Sequence, residues 1–456
     1  MKRYITATGI VTLLMFCFTM GDALAGKKLL DDFSDPYIDT SKWQQGELVR
    51  EIAGGKLISK IGGNAEPGDD FILNQLGFFD PNSINSIEAA INLKASRLDN
   101  SDTHFAGAQI EGFFYDGASG SVWAGIQIGE TENGLEASYG ISDGGGGALP
   151  ITIQYNTDYL VKIEYNELTN EFRFSVNDVS ETGAGPPRVG PSTEDWKALT
   201  TGIWGVGSLV SGFTSATFDN VRINNEPTPY DDFSTALLDI TKWNEGTLEH
   251  VREISNGKLR MNARNTNPGR VSVNSRLVNF DRHYIEAKML IKSDTQIPAG
   301  QQGFARFGGW YYNDSRGPGS GQGYNGNDSD VWVAIMLYNS GGGQQEACAQ
   351  LWRSDDANAT SGTELLWECF PTTISYDTEY KLSIQFTGST FIFRCNALAP
   401  ITYKVQTTMY EPYEEWAGFT SRVYADPGYI KATFDDVYIY APGIGPGINL
   451  LLLGDP

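Results

Sequence analysis

Histidine and cysteine are scarce in this chain of 456 residues, and basic charge is outnumbered by acidic. The three histidines, His104, His250 and His283, are scattered, and no Cys-x-x-Cys pair accompanies them. A zinc site built from those residue types is excluded on spacing. Thirty-three Lys and Arg against 56 Asp and Glu leave a formal charge of −23. A surface that binds nucleic acid or an anionic membrane must be basic, so neither is an expected partner. A Gly-x-Ser-x-Gly nucleophile turn is also missing, since residues 317–321 match it only in composition. Long helical periodicity is absent too. The one extended apolar run, residues 10–20, is too short to cross a bilayer.

That run has another reading. Lys2-Arg3 precede it and Ala23-Leu24-Ala25 follow it, the pattern of a secretory signal cleaved after residue 25. Export to the cell surface, the medium or the periplasm is the expected localisation. Three cysteines then remain. Cys348 and Cys369 flank a turn-rich segment, and two strands folded back on it bring the sulfurs within bonding reach. An oxidising compartment makes a Cys348–Cys369 disulfide the expectation. Cys395 stands where the first half of the chain has Val176, and reads as a small buried hydrophobe.

The chain repeats itself. Asp31-Asp32-Phe33-Ser34, Asp39, Lys42-Trp43, Arg50-Glu51-Ile52 and Gly55-Lys56-Leu57 return as Asp231-Asp232-Phe233-Ser234, Asp239, Lys242-Trp243, Arg252-Glu253-Ile254 and Gly257-Lys258-Leu259. The copies close alike, on residues 216–221 and 432–437. A period near 200 residues is a duplicated domain and not a solenoid unit, which runs to roughly 20–50. Period-2 alternation, as in residues 159–165, 172–176 and 380–386, predicts strands with one buried face. With 52 glycines punctuating these runs, the expected class is all-β, two tandem antiparallel β-sandwich domains. The sequence divides as a signal (1–25), a first domain (29–223), a linker with two prolines (224–229), a second domain (230–441) and an apolar tail (442–456). Trp43 and Trp243 read as plugs at the sandwich ends, and Phe218 and Phe434 as inward-facing.

An opening Asp-Asp-Phe, an Asp-x-x-Lys-Trp, a Gly-Lys-Leu strand and a closing Phe-Asp-x-Val strand resemble the concanavalin A-like lectin/glucanase superfamily. The resemblance spans both copies and implies jelly rolls. Its laminarinase-type members carry a Glu-x-Asp-x-x-Glu strand whose carboxylates share a face. Residues 132–136 and 364–368 do not supply it, so a non-catalytic role is expected. The resemblance implies glycan binding through aromatic faces and polar side chains. The candidate segment is 307–330, with Trp310, Tyr312, Tyr324, Asn325, Asp328 and Asp330. It also implies a structural calcium ion, held by Asp31, Gly55 and Asp219 in the first copy and by Asp231, Gly257 and Asp435 in the second. The expected role is a secreted glycan-binding protein. The alternatives are a cell-surface or filament subunit that self-associates through its leucine-rich tail, and a glycoside hydrolase or lyase.

Overall fold

The structure, a computed structural model, describes residues 27–66, 68–142, 145–207, 209–244, 249–266, 269–279, 283–315, 328–341, 345–424 and 427–440. Among them there is no α-helix; antiparallel strands form three sheets of 15, 7 and 6 strands. Alternation explains the strands. In Asp158–Asn166, Tyr159, Val161, Ile163 and Tyr165 are buried, while Leu160, Lys162 and Glu164 are more exposed. The two short sheets each pack on one half of the long sheet, giving two sandwiches with separate cores.

The long sheet runs through both copies. It is joined where Leu48–Ala53 pairs with its own twin, His250–Ser255. The pairs are Arg50 with His250, Val49 with Val251 and Leu48 with Arg252. Val49 and Val251 are equivalent in the repeat, so the pairing is centred on a local two-fold, as at an isologous dimer interface. Ion pairs cross the same seam: Arg260 with Glu51, and Lys60 with Glu253.

The opening segments are exchanged. Phe33, Ile38 and Trp43 are buried in the second copy's core, beside Leu259, Phe419 and Phe434. Phe233, Leu238 and Trp243 are buried in the first copy's core, beside Leu57, Phe78 and Phe218. Trp43 lies 5.3 Å from the Phe419 ring, and Trp243 lies 4.9 Å from Phe78. The linker explains this. Val221 N donates to Asp231 O at 2.8 Å, so the chain folds straight back along the first copy's closing strand. The second copy's opening segment is thereby committed to the first sandwich. Lys27–Asp31 pairs instead with the last strand, Gly428–Tyr440. The packing units are thus displaced along the chain relative to the sequence repeats.

Each exchanged segment is held by the same device. Asp31 Oδ1 accepts from Phe33 N at 2.9 Å, and Oδ2 accepts from Trp43 Nε1 at 2.8 Å. Asp231 does the same with Phe233 N (2.9 Å) and Trp243 Nε1 (2.6 Å). Phe33 and Phe233 have φ of 51° and 50°, a left-handed conformation costly for an aromatic residue, which these bonds support.

Truncating Trp43 to alanine removes a fully buried indole and is expected to cost about 3–5 kcal/mol. Hydrogen exchange should rise in Ala417–Val423 and Gly428–Tyr440, some 400 residues away in sequence, ahead of the first copy's strands. Loss of protection confined to residues 48–223 would contradict the exchange.

Candidate functional site

The short sheets each turn one face to a core and one face away. In the first copy, Ala108, Ile110, Ala124, Ile126 and Leu199 point inward. The alternate positions line up across five strands as Gln75, Thr200, Gln109, Gln127 and Ser138. Beside this polar row stands Glu111, opposite Ala198 and Gly125. Gln109, Glu111 and Thr200 are buried although they lie on the outward face. Aromatic rings lie down over that face. A Cβ on Gly125 would meet the Trp123 ring at 2.6 Å, and one on Gly202 would meet the Trp204 ring at 2.3 Å. Glycine is required at both positions because a ring occupies the space.

Trp123 Nε1 donates to Glu111 Oε2 at 3.1 Å. Glu111 Oε1 is buried without a hydrogen-bond partner. Burial raises the carboxyl above its usual range, partly opposed by Thr200, Gln109, Trp123 and Gln75 around it.

The second copy builds the equivalent face differently. Trp310, Trp332 and Trp352 are cross-strand neighbours, and Trp310 N donates to Trp416 O at 3.0 Å. These tryptophans form one row across four strands. Ring centroids are 5.4 Å apart for Trp310–Trp332, 6.1 Å for Trp310–Trp352 and 4.7 Å for Trp332–Trp416. The cluster includes Phe304, Met336, Tyr338 and Tyr424 and is distinct from the sandwich core. Trp352 and Trp416 keep solvent contact. The same row in the first copy holds Trp196, Phe113 and Trp123, with Phe113 N donating to Trp196 O at 2.9 Å. Both rows sit at a strand irregularity, at Phe113/Tyr115 and Trp310/Tyr312. By that register Glu111 corresponds to Gly308 and Gln109 to Arg306. Trp332 Nε1 accordingly has no carboxylate to donate to, and it is buried without a partner.

No family model and no curated protein matches this chain. Solved structures do. A laminarinase from a Flavobacterium species is 17% identical, covering 41% of this chain and 81% of its own, with a TM-score of 0.26. A marine alginate lyase from Zobellia galactanivorans is 10% identical, covering 48% and 90%, with a TM-score of 0.27. The LG4-5 domains of the mouse laminin alpha1 chain are 7% identical, covering 84% and 90%, with a TM-score of 0.25. Nothing about substrate or chemistry follows from similarity at this level.

The residues singled out from sequence are distributed as follows. Trp310 lies in the aromatic row. Tyr312 faces the other way and is buried in the second core, 6.1 Å from Phe391. Asp330 is fully enclosed, accepting from Asn313 Nδ2 (2.9 Å) and Tyr413 N (3.0 Å), which makes it an anchor for the chain near residue 413. Asp328 offers its backbone carbonyl to Asn313 Nδ2 at 2.9 Å. Tyr324 and Asn325 lie outside the described residues. Cys348 and Cys369 are cross-strand neighbours joined by a disulfide, at the end of the row that holds Arg306 and Met336. Sequence reasoning missed Glu111, Arg306, Trp352 and Trp416. The available signal was polar residues two apart in a strand whose other face is apolar.

The exchange redistributes the donors assigned to calcium between the two sandwiches. Because the opening segments are exchanged, Asp31 lies beside Val437 on the second sandwich while Gly55 and Asp219 stay on the first. Asp231 bridges to Val221, away from Asp435. Lysines already face these carboxylates, with Nζ 3.6 Å from Asp31, 3.8 Å from Asp219, 3.9 Å from Asp231 and 3.2 Å from Asp435. Gly55 and Gly257 are turn residues with φ of 71° and 68°. Among the described residues, one further ligand cluster, Glu346 with Cys348 and Cys369, is spent on the disulfide.

Two outcomes check these assignments. EDTA tests the calcium assignment: a fall of several degrees in the melting temperature would show a bound ion, and an unchanged value would remove the assignment. Glu111→Gln should stabilise the protein at neutral pH. The folded state holds the Glu111 proton more tightly than the unfolded state, so the parent loses stability as pH rises through the raised pKa. The gain should vanish below the ordinary glutamate value of 4.5. A loss at neutral pH would mean that the ionised carboxylate is the form the fold needs.

Proposed function

We propose that this chain is an exported, concanavalin A-like, non-catalytic carbohydrate-binding protein with one saccharide-binding face on each short sheet. The observation that carries the reading is the cross-strand tryptophan row on the outward face of the six-stranded sheet, with its shorter twin on the other sandwich. Ring faces pack on the C–H surfaces of a sugar, and adjacent polar side chains fix its hydroxyls. On the first face those side chains are Gln75, Gln109, Gln127, Ser138 and Thr200. Hydrolysis of a glycosidic bond by the usual route takes two carboxylates flanking one bond. The first face sets Glu111 among amides and hydroxyls, and the second has Gly308 at that place. The two faces lie on separate short sheets packed on one continuous long sheet, so their separation is set by the strand pairing of that long sheet. A repeating polysaccharide of matching period would gain avidity from both.

A glycan array probed with the full chain tests the reading, followed by calorimetry with the best oligosaccharide. Trp352→Ala and Trp416→Ala, at the partly exposed ring positions, should each weaken second-face binding about tenfold, a stacking contribution of order 1 kcal/mol. A blank array, or affinities unmoved in the double variant, would remove the basis for the assignment. New reducing or unsaturated ends in the incubated oligosaccharide would show an enzyme.

A further inference from the structure

Resting on the carbohydrate-binding reading, we infer that the second face is built for an acidic sugar, whose carboxylate or sulfate is gripped by Arg306, Arg422 and Arg270. The chain carries a formal charge of −23, yet this face concentrates guanidinium groups. Arg306 sits in the middle of the sheet, paired with Met336 on one side and Thr420 on the other. It makes no hydrogen bond or ion pair with any described residue, and its Nε is buried without a partner. Arg422 and Arg270 repel it, and Tyr424 acts in the opposite direction. The nearest acid by register, Glu346, stands opposite Tyr338 two strands away and is exposed.

Rings hold these cations in place of counter-ions. The Arg306 guanidinium lies 4.7 Å from the Phe304 centroid and 4.8 Å from that of Trp332. Arg422 lies 5.7 Å from Phe304 and 5.8 Å from Tyr424, and it donates to Ser272 Oγ at 2.6 Å and to Tyr424 Oη at 3.2 Å. Stacking positions a guanidinium and leaves its in-plane donors free for a planar or tetrahedral oxyanion. Burial and the neighbouring arginines pull Arg306 down to about 9, which keeps it charged at neutral pH. The same field draws the Tyr424 hydroxyl below its usual range, against the effect of its burial. A half-buried cation with no counter-ion is costly, and an anion arriving at this spot lowers that cost.

The twin face lacks all of this. Gln109 stands in the place of Arg306 and Gly202 in that of Arg422, beside Glu111, whose carboxyl burial holds above its usual range. One chain therefore presents a neutral-sugar face on one short sheet and an acidic-sugar face on the other.

Tryptophan fluorescence and calorimetry on the full chain decide this, using three tetrasaccharide probes: an oligouronate, a sulfated galactan and a neutral β-glucan. At least one acidic probe should bind tenfold or more tighter than the neutral one on the second face. That preference should collapse between 50 and 500 mM salt, where screening is strong. Which acidic probe binds identifies the anion as carboxylate or sulfate. Arg306→Met should lower the acidic affinity at least tenfold. Arg270→Gln, at an exposed position, should lower it several-fold, which keeps the test valid if the Arg306 variant unfolds. Equal affinity for acidic and neutral probes, or binding unmoved by Arg270→Gln and a folded Arg306→Met, overturns the inference. Binding of the neutral probe alone overturns it while leaving the carbohydrate reading intact; no binding of any probe removes both.

Discussion

The buried hydrogen bond between an aspartate and the indole twelve residues on, both seated in the other copy's sandwich, is the constraint on which the molecule depends. Asp31 with Trp43, and Asp231 with Trp243, each fix an exchanged opening segment by one carboxylate that satisfies a backbone amide and a ring N–H together. Removing either partner would strand a buried polar group, which is more costly than the bond itself is favourable. Because the segments are exchanged, neither sandwich is complete without the other. The central strand pairing at Val49 and Val251 then makes the two one continuous sheet.

That continuity shapes what the faces can do. In a chain of two independent beads, a linker of two prolines would set the spacing of any binding sites. Here the linker is a return turn, and spacing comes from strand geometry. The short sheets, which carry the tryptophan rows, are the parts not joined across the seam. They have diverged most in chemistry, from a polar row with Glu111 to an aromatic row with Arg306. A shared scaffold conserves its hydrogen-bond ladder, while outward side chains vary at little cost to the core.

The repeated acidic positions illustrate the same point. Asp31 and Asp231 anchor the opening segments, and Asp219 and Asp435 sit in the closing strands. Their lysine partners, Lys42, Lys56, Lys242 and Lys258, supply the positive charge locally.

Strand positions, the duplication, the all-β class and the buried Cys395 were legible in the sequence, because alternation, turn residues and repeated words are local signals. So were Trp43 and Trp243 as core plugs, since an indole after a turn has little other use. What the words did not show was which core each plug fills. That depends on the hydrogen bond from Val221 to Asp231, a contact ten residues apart whose consequence spans the whole chain. The candidate faces were half legible. Trp310 could be picked out as an aromatic in a polar context, but its neighbour Tyr312 has the opposite orientation because an irregularity in the strand shifts the alternation between them. Trp332, Trp352 and Trp416 come from strands distant in sequence, and only cross-strand register puts them in one row. The sequence by itself determined the local pattern of each strand; the tertiary structure alone decided which strands are neighbours, and so which side chains share a face.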